Sequence, residues 1–256
     1  MLGRTVVAAA LLCCSAGAAA LETLDEIYWP ETGKFPAYPQ ETDPRAVVFS
    51  LFGGYDRDSN VFRLSDSDPT PGARSDYVYR AGAGVRAEIP SGRQRFVLEA
   101  RAQVNEYNRF DLLDHTSYGL GGTWRWEIGN QWSGEAGYTR RRFLSSLEDL
   151  QAPIKDMITE DRAFISAGYL VTPRWRVRGA LDWTRWDHDD PIRSELDARI
   201  TSGTAGLDYV TPANNSVGGQ VKVSEGEYPN QQPVGAGLIA TDYREIEASM
   251  VQGWIL

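Results

Sequence analysis

Cysteine occurs only at the start of this 256-residue chain, at Cys13 and Cys14. Residues 1–20 carry Arg4, then a short apolar core and several small residues, and this order predicts a secretory signal peptide cleaved after Ala20. The mature chain would then contain no cysteine. That absence excludes disulfide bonds, thiolate metal sites and a cysteine nucleophile.

Long apolar runs and positive net charge are also absent. No stretch after the N-terminus is apolar enough to predict a transmembrane helix. Acidic residues outnumber basic ones by 35 to 26, which gives a net charge of −9 and an isoelectric point near 4.9. This balance argues against a general nucleic-acid-binding protein. Hydrophobic residues make up 42% of the chain, too many for a disordered protein.

Histidine and recognised catalytic motifs are equally scarce. The two histidines, His115 and His188, fall in different predicted loops. The run 187–190 places three aspartates beside His188 but lacks the ligand spacing of an EF-hand. The chain also contains no HExxH, GxSxG or Walker sequence. We therefore predict a protein that is not an enzyme and that uses no metal or other cofactor.

Apolar and polar residues alternate regularly from Arg45 to the end of the chain. Successive side chains of a β-strand point to opposite faces, so this alternation predicts strands with one apolar and one charged face. Most are longer than a typical soluble strand and long enough to cross a bilayer at a tilt. Ten strands are expected, at residues 45–60, 77–89, 95–107, 117–128, 132–144, 162–171, 175–187, 196–209, 216–226 and 243–256.

The predicted connections between strands alternate between short and long. The short ones contain glycine, proline and asparagine and lie at 90–94, 129–131, 172–174 and 210–215. The long ones lie at 61–76, 108–116, 145–161, 188–195 and 227–242. Outer-membrane barrels show this pattern because their periplasmic turns are short and their external loops are long.

The sequence therefore predicts an all-β protein, an antiparallel up-and-down transmembrane β-barrel over residues 45–256. A large soluble β-sandwich or propeller is the alternative. The chain ends within an alternating segment, so we expect the barrel to continue beyond residue 256. Residues 21–44 have no clear period and contain four prolines and six carboxylates, which predicts a periplasmic tail or plug, or a disordered leader.

Aromatic residues near the ends of the predicted strands indicate two belts at the membrane interfaces. Trp186 lies near a predicted long loop and is expected in the same belt as Trp183. The predicted interface residues are Tyr77, Tyr79, Tyr118, Trp126, Trp132, Trp175 and Trp183.

The charged face of the strands would line the lumen, and its basic residues, Arg199 among them, are almost all arginine. Arginine stays charged and binds carboxylate or sulfate with two hydrogen bonds. Such a face is either a track for an anionic polymer or solute, or a ladder of ion pairs that fills the interior. The run 140–142 is a candidate contact for lipopolysaccharide phosphates, or a solvated charge run. The predicted lumen residues are Arg80, Arg86, Arg95, Glu99, Arg101, Arg125, Glu127, Arg162, Arg174, Arg176, Arg178 and Asp182.

Four segments carry a family resemblance. The sequence YDRDSNVFRLSD at 55–66 resembles the N-terminal signature of the EpsL-like family, outer-membrane β-barrels encoded in exosortase-linked exopolysaccharide operons. Residues 120–132, 137–149 and 169–176 resemble later strands and turns of that family, in the same order. The resemblance covers residues 45–256 and implies a porin with a role in making or exporting a surface polysaccharide. It supplies no catalytic residues.

From this resemblance we expect a porin-like protein that assists export of an exopolysaccharide across the outer membrane of a Gram-negative bacterium. The expected partners are outer-membrane lipid and lipopolysaccharide, an anionic polysaccharide and periplasmic export proteins, with no nucleic acid. Two alternatives stay open. One is a general diffusion porin, and the other is a non-conducting barrel that docks a polysaccharide synthesis complex.

Overall fold

The computed structural model describes residues 28–29, 33–34, 47–64, 74–147, 154–211, 215–230 and 242–253. The predicted signal peptide and most of the acidic segment 21–44 lie outside these residues. Within that segment two short strands, β1 (Tyr28–Trp29) and β2 (Gly33–Lys34), pair antiparallel. No helix in the described part of the chain is long and apolar enough to span a membrane.

Ten long strands form one antiparallel sheet in which every strand pairs with its neighbours in the sequence. The order runs from β3 to β12 without a crossover, which confirms the predicted all-β, up-and-down arrangement. Among the described residues, the outer strands β3 and β12 do not pair with each other. The strands are β3 (Val47–Asp58), β4 (Asp76–Ser91), β5 (Gln94–Tyr107), β6 (His115–Ile128), β7 (Trp132–Leu144), β8 (Met157–Thr172), β9 (Trp175–His188), β10 (Ala198–Val210), β11 (Ser216–Glu227) and β12 (Tyr243–Gly253).

The strand boundaries agree closely with the alternation, and the largest difference is at the start of β8. The alternation placed this start at residue 162, but the strand begins at Met157. Two consecutive acidic residues, Glu160 and Asp161, hide the alternation in the sequence. In the sheet they lie on opposite faces, and the Glu160 carboxylate binds Arg141 of β7 at 2.7 Å. Pairing with β7 therefore extends β8 beyond what periodicity predicts.

All the short connections lie at one end of the sheet, which we call the turn end, and the long ones lie at the opposite loop end. Gly92 and Gly129 occupy turns with φ of +60° and +61°, a conformation that favours glycine. At the turn between β8 and β9, the Thr172 hydroxyl accepts a hydrogen bond from the Trp175 backbone N–H at 3.1 Å. Glycine and other turn residues mark the hairpins in the sequence because they adopt the backbone conformations that these turns require.

The two faces of the sheet have opposite compositions. One face is apolar and exposed from β3 to β12; Leu51, Leu181 and Met250 on it are 86%, 60% and 77% exposed. The other face carries the charged and amide side chains, and Gln103 and Asn105 on it are only 1% exposed. Side chains from eight strands of the polar face surround one cavity. We therefore call the polar face concave and the apolar face convex.

The loop end of the concave face carries a small apolar cluster over β4 and β5. The Phe62 and Phe110 rings meet edge to face at 4.8 Å between centroids. The buried Asp76 carboxylate accepts hydrogen bonds from the Arg109 and Phe110 backbone N–H groups and so holds the loop between β5 and β6 in place. The buried members of the cluster are Val61, Phe62, Val78, Tyr107 and Leu113.

Buried carboxylates also organise the loop end of β8 to β10. Asp156 is fully buried and binds the Arg193 guanidinium at 3.1 Å. His188 lies at the end of β9, and Asp197 accepts hydrogen bonds from its backbone N–H at 2.7 Å and its ring Nδ1 at 3.1 Å. These contacts connect the long loops to the sheet through specific polar pairs.

Candidate functional site

A cavity of about 1070 Å³ lies against the concave face, between the turn end and the middle of the strands. Residues from β4 through β11 line it. Because eight consecutive strands surround one space, the sheet curves around the cavity. The register places most of the lining side chains on the concave face of successive strands. Trp126 and Ala167 also border the cavity, although the register assigns both to the convex face.

The cavity lining is cationic although the whole chain is acidic. Three carboxylates accompany the seven basic residues: Glu127, Glu135 and Asp182. Two more carboxylates lie at its border: Glu88 binds Arg95 at 3.0 Å, and Asp208 binds Arg178 at 2.7 Å. With these two counted, basic residues still outnumber acidic ones. The basic residues are Arg93, Arg95, Arg125, Arg162, Arg176, Arg178 and Lys222.

Ion pairs between neighbouring strands run across the concave face. The Arg162 guanidinium binds Asp182 at 2.9 Å, and Arg125 lies 3.5 Å from Glu135. Each pair joins adjacent strands, β8 to β9 and β6 to β7. These contacts hold the lining side chains in defined positions.

A second group of buried charges surrounds Glu99 on β5. Its carboxylate is fully buried, lies 3.7 Å from the Arg86 guanidinium and also contacts Arg101, which is 3% exposed. Two cations therefore share one carboxylate in a region with little water. Loss of one partner of a buried ion pair is strongly destabilising because it leaves the other charge buried and uncompensated. The Glu99 carboxylate therefore stabilises both buried arginines.

Arg176 and Lys222 differ from the other lining cations because the side chain of neither forms an ion pair or a hydrogen bond with any described residue. Arg93 also lacks an ion pair, but its guanidinium donates to the Asn130 side chain at 3.0 Å. The residue opposite Arg176 is Asp208, but its carboxylate binds Arg178 instead. Lys222 lies opposite Glu247 of β12 without an ion pair between them. These two cations are available to a solute in the cavity.

Most of the predicted lumen residues lie on the concave face, but Arg199 and Arg174 do not. Arg199 was expected on the charged face, and it lies on the convex face opposite Arg185 because residues 198 and 200 of β10 occupy the concave face. Arg174 lies in the turn between β8 and β9, is exposed, and donates to the Tyr209 hydroxyl at 3.3 Å. Asp208 and Lys222 were not predicted, although the alternation in β10 and β11 places both on the polar face. What the sequence does not contain is the register that brings Asp208 beside Arg176 and Arg178. The predicted residues found on this face are Arg80, Arg86, Arg95, Glu99, Arg101, Arg125, Glu127, Arg162, Arg176, Arg178 and Asp182.

The predicted interface aromatics all lie on the convex face, some near the turn end and some near the loop end. At the turn end, Trp132 packs against Tyr169 with centroids 4.6 Å apart, and Trp175 meets Tyr209 at 5.2 Å. Trp186, which was expected beside Trp183, lies instead on the concave face opposite Glu160. Its indole N–H donates to the Glu160 carboxylate of the concave face at 2.8 Å. Residues 183 and 186 are separated by an odd number, so a strand directs them to opposite faces. The predicted belt residues are Tyr77, Tyr79, Tyr118, Trp126, Trp132, Trp175 and Trp183.

The two histidines belong to separate polar networks. His115 is buried; its Nδ1 donates to the Leu113 carbonyl at 2.7 Å and its Nε2 accepts from the Asn105 amide at 3.0 Å. His188 is held by Asp197 at the loop end. Within the described ranges, no group of three or more histidine, cysteine, aspartate or glutamate residues is arranged to hold a metal ion.

No protein-family model, curated protein or solved structure matches this chain. The solutes that the cavity can bind are inferred from the groups that line it. Guanidinium groups bind carboxylate, sulfate or phosphate with paired hydrogen bonds. The Ser202 and Thr204 hydroxyls and the Gln220 amide also line the cavity and can bind hydroxyl groups. The arrangement suits a hydrated, polar solute and favours an anionic one.

Proposed function

We propose that the protein is a porin-like outer-membrane β-barrel whose concave face lines a polar passage. The observation that carries this proposal is the distribution of side chains over one sheet. The convex face exposes an apolar surface across all ten strands, and the concave face encloses charged and amide groups. Such a surface is stable against lipid and would be an aggregation hazard in water.

Closure of the sheet is part of this proposal. A strand edge in lipid leaves backbone N–H and C=O groups without water or protein partners. Each such group costs roughly several kcal/mol of stability. The sheet has two such edges, β3 and β12. We expect both edges to be paired in the membrane, either with each other or with further strands. The short turns would face the periplasm and the long loops the exterior.

The substrate of the passage is proposed to be an exopolysaccharide or its acidic units. Two observations support this choice. The lining has an excess of cations, among them Arg176 and Lys222 without described partners. The segments 55–66, 120–132, 137–149 and 169–176 resemble the EpsL-like family. Passage would be passive and would depend on periplasmic export proteins for direction.

A non-conducting docking barrel is the second candidate. The ion pairs that cross the concave face favour it because paired charges stiffen an interior without attracting a solute. The apolar cluster around Phe62 and Leu113 also favours it because it covers part of the loop end. A general diffusion porin would share the cavity but would not discriminate between acidic and neutral glycans.

The experiment is a planar-bilayer measurement on the full-length protein after removal of its signal. We expect ion conductance with a preference for anions, and block by short oligogalacturonates at concentrations where neutral dextran oligomers have no effect. The variant Arg176→Gln/Lys222→Gln should keep its conductance and lose most of the anion preference. Its matched control is Arg57→Gln/Lys155→Gln, which changes the same residue types outside the cavity.

The outcomes separate the candidates. A folded protein that inserts without conductance would favour the docking barrel. Conductance without discrimination between acidic and neutral oligomers would favour the diffusion porin. An anion preference that is equal in the double variant and in the wild type would show that these two cations do not face the passage.

A further inference from the structure

The convex face changes from apolar to charged at the loop end of β7 to β10. Four arginines there form what we call the rim cluster: Arg140, Arg142, Arg185 and Arg199. Three of them bind an aspartate: Arg140 lies 3.6 Å from Asp161, Arg185 lies 2.7 Å from Asp187, and Arg142 contacts Asp189. Ion pairs with exposed side chains such as these are weak, so another anion can compete for the arginines.

The rim cluster is not the arginine run of the sequence. Adjacent strand residues point to opposite faces, so Arg141 lies on the concave face and binds Glu160 there. Arg140 and Arg142 lie on the convex face. The sheet then brings Arg185 of β9 and Arg199 of β10 to the same level.

The pair Arg185 and Arg199 is the unusual part of the cluster. The two residues are direct partners in the register of β9 and β10 and share the convex face. Like charges placed directly opposite in a sheet are destabilising. Arg199 forms no ion pair with a described residue, not even with Glu227, its partner on the other side. An anion between the two guanidinium groups would remove this repulsion.

The position of the cluster identifies the source of that anion. Two residues closer to the turn end, Tyr138, Ala163 and Trp183 form the next row of the convex face. A strand rises by about 3.3 Å per residue, so the rim cluster lies only about 7 Å beyond this aromatic and apolar row. In a membrane-embedded barrel that level is occupied by lipid headgroups.

We propose that the rim cluster binds a phosphate of an outer-leaflet lipid headgroup, with Arg185 and Arg199 sharing the phosphate and Arg140 and Arg142 beside it. Arginine binds phosphate with paired, charge-assisted hydrogen bonds, and clustered basic residues at a membrane surface attract anionic lipid. The inference rests on the proposed membrane location. It adds a lipid site that is separate from the cavity.

The test uses the full-length mature protein in neutral detergent, with native mass spectrometry as the readout and diphosphoryl lipid A as the ligand. Dephosphorylated lipid A and inorganic phosphate serve as comparison ligands. The test variant is Arg185→Gln/Arg199→Gln. The control is Arg57→Gln, which removes a convex-face arginine at the loop end of β3, where it lies over the Tyr77 ring at 5.8 Å. Insertion into phosphatidylcholine vesicles is measured separately for every protein.

We expect the wild type and the control to retain diphosphoryl lipid A, and the double variant to bind it about tenfold more weakly, which corresponds to about 1.4 kcal/mol. Dephosphorylated lipid A should bind equally weakly to all three proteins. Equal binding of diphosphoryl lipid A by the double variant would overturn the proposal. Displacement of lipid A by inorganic phosphate at the same concentration would assign the site to free phosphate instead.

A stability measurement gives an independent readout. Without lipid A, Arg199→Gln should raise the urea midpoint of unfolding because it removes the repulsion with Arg185. With lipid A, the wild type should gain stability and the variant should not. An unchanged midpoint under both conditions would contradict the shared phosphate. Failure of every protein to insert into vesicles would overturn the membrane proposal itself, whereas normal insertion with unchanged lipid binding would overturn only the rim site.

Discussion

The convex and concave faces of the same ten strands follow opposite rules of residue choice. In water, burial of apolar groups is the main stabilising force and polar groups stay outside. Here Leu51 and Leu181 are exposed, while Gln103 and Asn105 are buried. The comparison shows that the same alternation serves two purposes: it buries the polar groups of these strands and exposes the apolar ones, which is the distribution that the proposed membrane location requires.

The polar interior is held together by hydrogen bonds and ion pairs between side chains rather than by apolar packing. The Gln103 amide donates to Asn105 at 2.6 Å, and the network continues through His115 to the Leu113 carbonyl. A buried polar group is tolerable when it has such a partner and costly when it has none. The concave face therefore depends on exact pairing between strands, while the convex face depends on composition alone.

The strongest way to break this comparison is to place a charge on the convex face. We expect Leu181→Arg to lower the free energy of unfolding in vesicles by about 2–4 kcal/mol because the guanidinium must enter the hydrocarbon region. Urea titration of vesicle-inserted protein measures this change. Gln220→Arg, which adds the same group to the cavity lining, is the control and should have a much smaller effect. If the sheet were in water instead, Leu181→Arg would replace an exposed surface residue and would change the free energy of unfolding by about 0.5 kcal/mol or less.

The second test removes a charge from the concave face. Glu99→Gln should lower the free energy of unfolding by about 3 kcal/mol because it leaves Arg86 and Arg101 buried without their carboxylate. Glu88→Gln is the matched control, since its partner Arg95 is 49% exposed, and its effect should stay below about 1 kcal/mol. Equal effects from the two substitutions would mean that water reaches both carboxylates to the same extent.

The smallest expected effect distinguishes two tryptophans by fluorescence. Trp175 is 44% exposed on the convex face, and Trp186 is bound to Glu160 on the concave face. In vesicles of brominated lipid, Trp175→Phe should reduce the quenched fraction of the emission, because one lipid-facing indole is lost. Trp186→Phe should leave or slightly increase that fraction. The opposite result would place Trp186 against lipid and reverse the assignment of the faces at the end of β9.

Most of the strands and turns could be predicted from the sequence because both depend on local geometry. Glycines at 92 and 129 mark turns whose φ values few other residues adopt. The start of β8 could not be predicted, since Glu160 and Asp161 resemble a loop until β7 is placed beside them. The position of Trp186 near a loop predicts a place beside Trp183, but the odd spacing between the two residues directs Trp186 to the concave face.

The sequence by itself determined which residues share a face, because tetrahedral geometry directs successive side chains to opposite sides of any strand. The alternation therefore predicts the residues of the apolar convex face and most of those of the charged concave face. Only the tertiary structure decided which charges meet. Register brings Asp208 to Arg178 and leaves Arg176 without a described ion pair, and it places Arg185 opposite Arg199. Pairing between strands depends on hydrogen bonds between residues that are distant in the chain, and a local sequence pattern does not predict those bonds.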